Sequence, residues 1–440
     1  MSKTKLAVTT VNSSYAAGSG AIGVAVDSGS SIGVDGNKAT ALTGDPRIYS
    51  YADGKVLYYG SLYTAGRAVK PDLWVYDVAS SGATTTWTKG SPINQTTTWP
   101  NSINGHGAVG YNGFLYVISR DEATVIKADP NDGYKVKATY DFNTQVGRPN
   151  VTQHAGAAIT EIDGKIYALF VSAQNFWGSY DPSTGVDGAG YANSTLVRLD
   201  DGLGSPSLCS TIGKNAFTLE LNPADGKLYV ACIGGSQRYG QGANPDSRLD
   251  AVDISAATMT STTKMVEADL SMGDFRGVAF TQDYAYLMVG TFRSDYTTFD
   301  SYILQFYSND FSFDGWTYGA LEVPVSQGSL FTIAANENNH VWLVRGTYVD
   351  LYADGDPDAG EGLAYIDSKF STNINTVGNA LFLNGATLLM ESGTTRAARG
   401  YVAPAFASHS VQAATARKVF TEKAEKLQNL RDKAKAKKKK

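Results

Sequence analysis

Asp53-Gly54-Lys55-Val56-Leu57-Tyr58 is the stretch that decides the fold: a turn pair, then an apolar run with an aromatic near its centre. It returns as Asn112-Gly113-Phe114-Leu115-Tyr116, Asp163-Gly164-Lys165-Ile166-Tyr167 and Asp225-Gly226-Lys227-Leu228-Tyr229. Weaker copies lie at 283–286, 338–342 and 384–388. The marker aromatics Tyr58, Tyr116, Tyr167, Tyr229, Tyr286 and Trp342 are 58, 51, 62, 57 and 56 residues apart. Asn-Gly and Asp-Gly are strong hairpin signals, because a tight turn asks for positive φ at both central residues. Self-similarity at a period near 50 implies a radial or stacked array of small sheets.

Each unit reads as four strands. A stretch of small and apolar residues precedes the turn, as in Gly107-Ala108-Val109-Gly110-Tyr111, and a second strand follows it, as in residues 227–232. A third strand carries its own marker, an aspartate closing an alternating apolar run. It is seen in Leu73-Trp74-Val75-Tyr76-Asp77, Val125-Ile126-Lys127-Ala128-Asp129 and Leu196-Val197-Arg198-Leu199-Asp200. Leu249-Asp250-Ala251-Val252-Asp253 and Leu363-Ala364-Tyr365-Ile366-Asp367 repeat it. The N-terminal region has this third-strand marker at 21–27 and a strand-like run at 5–12, whereas the C-terminal region has only a first hairpin at 380–390. Either fragment alone leaves an unpaired sheet edge. Joining them into one composite sheet closes a ring of six whole units and one shared unit; eight is the alternative count.

The chain resembles the β-propeller superfamily, and within it kelch-like and bacterial envelope repeat propellers. Leu228-Tyr229-Val230-Ala231-Cys232-Ile233-Gly234-Gly235 is similar to a kelch second strand with its glycine doublet. Asp72-Leu73-Trp74-Val75-Tyr76-Asp77 followed by Trp87 is similar to a kelch third strand and its later tryptophan. The resemblance implies an all-β, seven-bladed propeller over residues 1–400, closed by strands from both termini, with a linker and basic amphipathic helical tail at 401–440. A propeller fold implies no one activity.

The long connections are expected between second and third strands, at 60–71, 172–194, 233–247, 291–300 and 346–361. They hold Tyr63, Arg67, Phe176, Trp177, Tyr180, Tyr191, Arg238, Tyr239, Arg293, Tyr296, Arg345, Tyr348 and Tyr352 among Gly, Ser, Asn and Asp. Rigid aromatics in an adaptable polar background suit a recognition surface, and Tyr63, Trp177, Tyr180, Tyr239 and Tyr348 are its candidate contacts. A second set, Arg47, His106, His154, Asn215, Arg276 and Ser329, falls at the start of the innermost strands. It converges near one mouth of the channel, either to hold an anionic group or as the hydrated lining of a water-filled pore.

Asp354-Gly355-Asp356-Pro357-Asp358-Ala359-Gly360-Glu361 sets Asp354, Asp356 and Asp358 at alternate positions with Glu361 beyond them. Calcium is the alternative to a solvated acidic loop there, although the glycine, proline and glutamate depart from EF-hand spacing. No cofactor is otherwise expected. The histidines lack metal-ligand spacing, and two cysteines do not make a zinc site. Cys232 reads as a small core residue, with a bridge to Cys209 left open. Nucleophile-elbow, His-Glu-x-x-His and P-loop patterns are absent, and the propeller lacks the basic stripes that nucleic acid requires.

Of 37 Lys+Arg and 42 Asp+Glu, residues 411–440 hold 11 and 3, leaving 26 against 39 for the rest. Phe420, Ala424, Leu427, Leu430 and Ala434 follow helical spacing within that basic tail. It is expected either to solubilise the chain or to contact an acidic surface. No stretch approaches a membrane span, and no secretory h-region opens the chain. Low charge, scarce cysteine and abundant Gly, Thr, Ser, Asn and Tyr point to the periplasm or cell surface, with the cytoplasm as the alternative. The leading functional expectation is a non-enzymatic envelope module that binds a glycan, peptide or protein. A polysaccharide hydrolase or lyase using loop carboxylates with His106, His154 and Arg276, and a structural surface subunit anchored by its tail, are the alternatives.

Overall fold

A computed structural model describes residues 4–384 except 12–17, 43–44, 65–66, 94–98, 100–104, 121, 147–152, 175–179, 182–185, 188–189, 217, 236–242, 271–272, 282, 293–297, 310, 312–316, 325–330, 336–339, 346–347, 354–363 and 371–375. Among the described residues seven four-stranded antiparallel sheets form a ring, so the chain is a seven-bladed β-propeller and the eight-bladed alternative is excluded. Blades one to six follow in chain order, at residues 45–92, 105–141, 153–214, 220–266, 274–324 and 331–370. Strands are lettered a to d here, from the innermost outward.

Blade seven is composite. The last strand, Thr376–Asn384, is its innermost and pairs with Thr4–Val11, which is followed outward by Gly20–Asp27 and Ile32–Leu42. The split is thus three strands from the N-terminal end and one from the C-terminal end. The expected C-terminal hairpin is described only as far as Asn384. Residues 385–440, with the tail positions Phe420, Leu427 and Leu430, lie outside the described residues.

Why the marker aromatic recurs follows from strand b, which is buried on both faces. Successive side chains point to opposite sides of a strand, and in a radial sheet each side faces a neighbouring blade. In Lys55–Thr64, Val56 and Tyr58 pack toward blade seven with Ala7, Ile22 and Val24. Leu57 and Tyr59 pack toward blade two with Leu115 and Val117. The remaining marker aromatics likewise sit in seam cores: Tyr116 between blades two and three, Tyr167 between three and four, and Tyr229 between four and five. Tyr286 fills the seam of five and six, and Trp342 that of six and seven. Seven hydrophobic clusters therefore serve seven seams, and burial of these apolar surfaces is what closes the ring.

The turns are tight where both central residues have positive φ, at Asn112 (51°) with Gly113 (79°) and Asp163 (49°) with Gly164 (75°). At 53–54 and 225–226 only the glycine is positive, contrary to the uniform expectation. A bulge at Tyr51 alters the first. A wider turn closed by Gly226 N–H donating to Asn222 O (2.9 Å) alters the second. The aspartate ending strand c also has a local cause. Its carboxylate accepts an amide two residues on, from Gly29 to Asp27 (2.7 Å), Asn131 to Asp129 (2.9 Å), Gly202 to Asp200 (2.9 Å) and Ser255 to Asp253 (2.9 Å). Each is an Asx turn that reverses the chain toward strand d. Asp77 and Asp367 are exceptions: Asp77 lies within Arg67–Ser81 and pairs with Lys55, and Asp367 lies in strand d, Ala364–Phe370, because strand c of blade six is Tyr348–Ala353. There the chain reverses directly, with Arg345 opposite Tyr348, where a long connection was expected.

On this turn face, side chains of one blade reach the c–d turn region of the next. Tyr51 Oη meets Tyr134 Oη (2.7 Å). Lys127 Nζ and Tyr116 Oη both donate to Asp201 O (2.8 Å each). Arg198 donates to Ala256 O (2.8 Å), and Asn222 Nδ2 to Ser308 O (2.7 Å). At the closure His340 Nδ1 lies 2.5 Å from Asp27 Oδ2, and Lys5 Nζ donates to Thr84 O (3.4 Å).

Candidate functional site

The opposite rim is where strand a begins and strand b ends. Arg47 stands opposite Tyr59 and His154 opposite Ser172, each near the start of its innermost strand. Arg276 occupies a bulge between the Phe275–Val289 and Gly277–Met288 pairs. His106 holds the corresponding bulge in blade two, between Gly105–Ser119 and Gly107–Ile118. Asn215 precedes the bridge of Ala216 to Cys232, and its left-handed backbone (φ 53°) lets its carbonyl accept from Ile233 N–H (3.1 Å). The register therefore brings all five to one rim. Ser329 lies outside the described residues.

Burial separates them chemically. Arg47, Asn215 and Arg276 are 2%, 9% and 7% exposed, so most of their surface is covered by the protein. His154 is half-buried, with Nδ1 2.8 Å from Ser172 Oγ and its ring edge-on to Phe142 (centroids 5.0 Å apart).

The expected long connections are in part strand. Lys55–Thr64 and Arg67–Ser81 run on as an extended hairpin, with Tyr63 opposite Ala68 and Thr64 opposite Arg67. Tyr284–Phe292 and Thr298–Tyr307 do the same in blade five. Tyr180 belongs to a small two-stranded sheet, paired with Asp187. Tyr348 opens a strand, and Tyr352 is buried within it, so neither sits in a loop. Trp177 and Tyr239 lie outside the described residues, as do Phe176, Arg238, Arg293 and Tyr296. So do Asp354, Asp356, Asp358 and Glu361, the calcium candidates. Among the described residues no group of three or more His, Cys, Asp or Glu side chains could hold a metal.

Arg276 belongs to a polar cluster whose other described members, Asp274, Asn244 and Ser247, were not singled out by the sequence. The cluster joins the base of the 233–247 connection to the innermost strand of blade five, Asp274–Phe280. Asp274, 1% exposed, accepts Asn244 N–H on Oδ1 (2.6 Å) and Arg276 Nη2–H on Oδ2 (3.2 Å). Burial pushes its carboxyl up to about 6; Arg276 and the Asn244 amide oppose the rise, and Glu267 adds to it. Ser247 Oγ donates to Cys232 O and accepts Phe275 N–H (2.8 Å each), while Ser247 O accepts Glu267 N–H (2.8 Å).

At the other end of the same connection, Gly235 N–H donates to Asp246 Oδ1 (3.0 Å) and Lys214 Nζ to Asp246 Oδ2 (3.0 Å). Burial would raise the Asp246 carboxyl, but the Gly235 amide and Lys214 outweigh it and hold the group below its ordinary value. Gly234 (φ +114°) admits no side chain: a Cβ would lie 2.6 Å from Asp246 Oδ1 and 2.7 Å from Asn244 Cβ. The glycine doublet is therefore what lets the connection fold back on itself. Asn244-Pro245-Asp246-Ser247, a turn-forming run, and Asp274 two residues before Arg276 were the available signals.

Cys209 and Cys232 are free, buried thiols in the core between blades three and four, so no bridge joins them.

No known family profile and no curated protein matches this chain. Solved structures do. A proposed 6-phosphogluconolactonase from Bacteroides fragilis superposes with a TM-score of 0.53 at 8% identity, over 87% of this chain and 98% of that one. Proteins from Desulfotomaculum acetoxidans and Lactobacillus plantarum give 0.47 and 0.45, each at 10% identity over 87% of this chain and 99% and 100% of theirs. At such identities the likeness to the Bacteroides protein speaks for the propeller fold alone. No helix among the described residues is long and apolar enough to cross a membrane.

Proposed function

We propose that this chain is a kelch-like recognition propeller of the bacterial envelope that binds a glycan, peptide or protein on the rim bearing its b–c connections. The observation that carries the reading is the asymmetry of the two faces. On the turn face, Asx turns are short and side chains are engaged in blade-to-blade latches. The rim carries the extended hairpins of blades one and five, the 180–187 sheet and the braced 233–247 connection. Rigid scaffolds that present elaborate connections on one side commonly use them for recognition.

A non-catalytic role is supported by how the described rim groups are used. Asp246 and Asp274 are each occupied by amides or cations, and Arg47, Asn215 and Arg276 are buried. The basic residues of 411–440 supply a second, charge-based contact to an acidic surface, which added salt should weaken.

The test is co-sedimentation with purified peptidoglycan and a panel of soluble polysaccharides, for the wild type, Trp177→Ala and a chain with residues 236–242 replaced by a glycine-serine segment of equal length. Saturable binding lost at least tenfold in either variant is expected. Wild-type binding that both variants retain in full would overturn the assignment of the rim. Turnover of any of the polysaccharides would overturn the non-catalytic reading.

A further inference from the structure

A lysine stands where the rest of the ring keeps an aliphatic core. Lys5 is the second residue of strand b in the composite blade, paired outward with Val26, the residue before the Asx-turn Asp27. The position is matched in the other blades by Val56, Leu115, Ile166, Leu228, Ala285 and Val341, every one fully buried. Lys5 is covered almost as completely, at 1% exposed. An ammonium at a core position costs free energy unless acceptors and counter-charge surround it.

Those surroundings are incomplete. Among the described residues Lys5 Nζ makes one hydrogen bond, a long one of 3.4 Å to Thr84 O in blade one, and no carboxylate pairs with it. Asp35, on the outermost strand Ile32–Leu42, is engaged elsewhere. Lys38 Nζ lies 2.8 Å from its Oδ1, and the Thr85 hydroxyl (2.7 Å) and amide both donate to its Oδ2. Lys38 donates in addition to Thr85 O (2.8 Å). The Asp35 and Lys38 side chains are 6% and 13% exposed, so the seam of blades seven and one covers two ammoniums against one carboxylate. An ammonium carries three donors, and these bonds use one on Lys5 and two on Lys38. Burial holds the Lys5 ammonium below its ordinary value, with Asp35 opposing the shift and Lys38 adding to it.

We propose that Lys5 and Lys38 form a site for a small oxyanion, of the class of inorganic phosphate or sulfate, at the turn-face end of the seam between blades seven and one. The anion supplies the negative charge the seam lacks and accepts the remaining ammonium N–H groups. Lysine serves such an ion as a point charge with rotatable donors. Approach is from the turn side, where residues 81–84, Thr84 among them, are exposed. The site lies away from the rim and does not depend on the binding surface proposed there. Its consequence falls on ring closure, because Lys5 and Lys38 belong to the N-terminal strands and Thr84 and Thr85 to blade one.

Calorimetric titration of the full chain with inorganic phosphate, against chloride at constant ionic strength, tests the site, with the urea midpoint as a second readout. The wild type should bind phosphate saturably, and its midpoint should rise as the site fills. Lys5→Met fills the core position without a charge. Its phosphate affinity should fall by about tenfold or more, and in chloride alone it should be at least as stable as the wild type. Lys38→Met should weaken phosphate too, and it carries the test if Lys5→Met folds poorly. Lys127→Met, on the same face in the seam of blades two and three, should bind phosphate as the wild type does. Absence of saturable binding in the wild type, or affinity kept in full by Lys5→Met or Lys38→Met, overturns the proposal. So does a rise in midpoint that every variant shares, which is the general action of an excluded salt.

Discussion

Gly110→Ala should be among the most damaging single-methyl additions this protein can receive. Gly110 lies on the innermost strand of blade two, opposite Leu115, and faces the carbonyl of Tyr51 in blade one. A Cβ built there would stand 1.3 Å from Tyr51 O and 2.4 Å from its carbonyl carbon. An ordinary carbon–oxygen contact needs about 3.2 Å, so the strands must part by roughly 2 Å, against interiors packed as tightly as crystals. Neither side yields readily. Tyr51 is the bulged residue between the Ser50–Val56 and Ala52–Lys55 pairs, and its hydroxyl is bonded to Tyr134 in blade two. Overpacking of a core costs about 1–3 kcal/mol, and a backbone-to-backbone clash belongs at or above the top of that range. The measurement is urea unfolding followed by tryptophan fluorescence. Gly113→Ala is one control: its φ is +79° with nothing within 4 Å, so only left-handed strain of about 1–2 kcal/mol is expected. Gly23→Ala is the other, since its Cβ would meet only Asn37 Oδ1 at 3.5 Å, and it should stay within about 0.5 kcal/mol. A Gly110→Ala variant as stable as Gly23→Ala would refute the close approach of the innermost strands.

Other consequences are simpler to read. Burial pushes the Cys232 thiol well above its ordinary value and Cys209 is also buried, so neither should react with a thiol reagent in the native protein. Two thiols per chain should appear on unfolding without reductant; none would restore the disulfide. Lys127→Met removes the ammonium that lies over the Phe114 ring (4.0 Å to its centroid) and bonds Asp201, so stability should fall by about 1–2 kcal/mol. An unchanged urea midpoint would mean that the turn-face latches do not help hold the seams.

Blade architecture was readable in the sequence because the features that betray it are local. A turn pair, a doubly buried strand and an Asx turn each involve only neighbouring residues, and repetition multiplied the signal. Tyr58 and Asp129 are recognisable without knowing what they touch. Even the closure could be inferred, because an unpaired edge at each end is a property of the strand count. What stayed hidden depends on pairs distant in sequence. Asp250 gave no sign that it would accept an amide from Gly213 in the neighbouring blade. His340, 313 residues from Asp27, looked like an isolated histidine. Blade six differs for another reason: Arg345 pairs with Tyr348, so strand c begins inside the run expected as a connection, with no polar stretch before it to mark its start. On the rim, position could be read but burial could not, because nothing local in the sequence marks Arg47 and Arg276 as buried.

Among the described carboxylates with a resolved shift, Asp274 answers pH in the opposite sense to those of the turn face and to Asp246. On the turn face Asp200 is held below its ordinary value, first by the Gly204 amide, and Asp201 by Asn112 and then Lys127. Groups of this kind contribute stability that is present above the usual carboxylate range and lost as pH falls through it. They are elements of a fixed frame, satisfied throughout the neutral range. Asp246 on the rim belongs with them, because Gly235 and Lys214 outweigh its burial. Asp274 alone, of the carboxylates with a resolved shift, is displaced upward, and it sits where the connection joins the ring. Mild acid therefore leaves the frame's acids ionised while it neutralises Asp274.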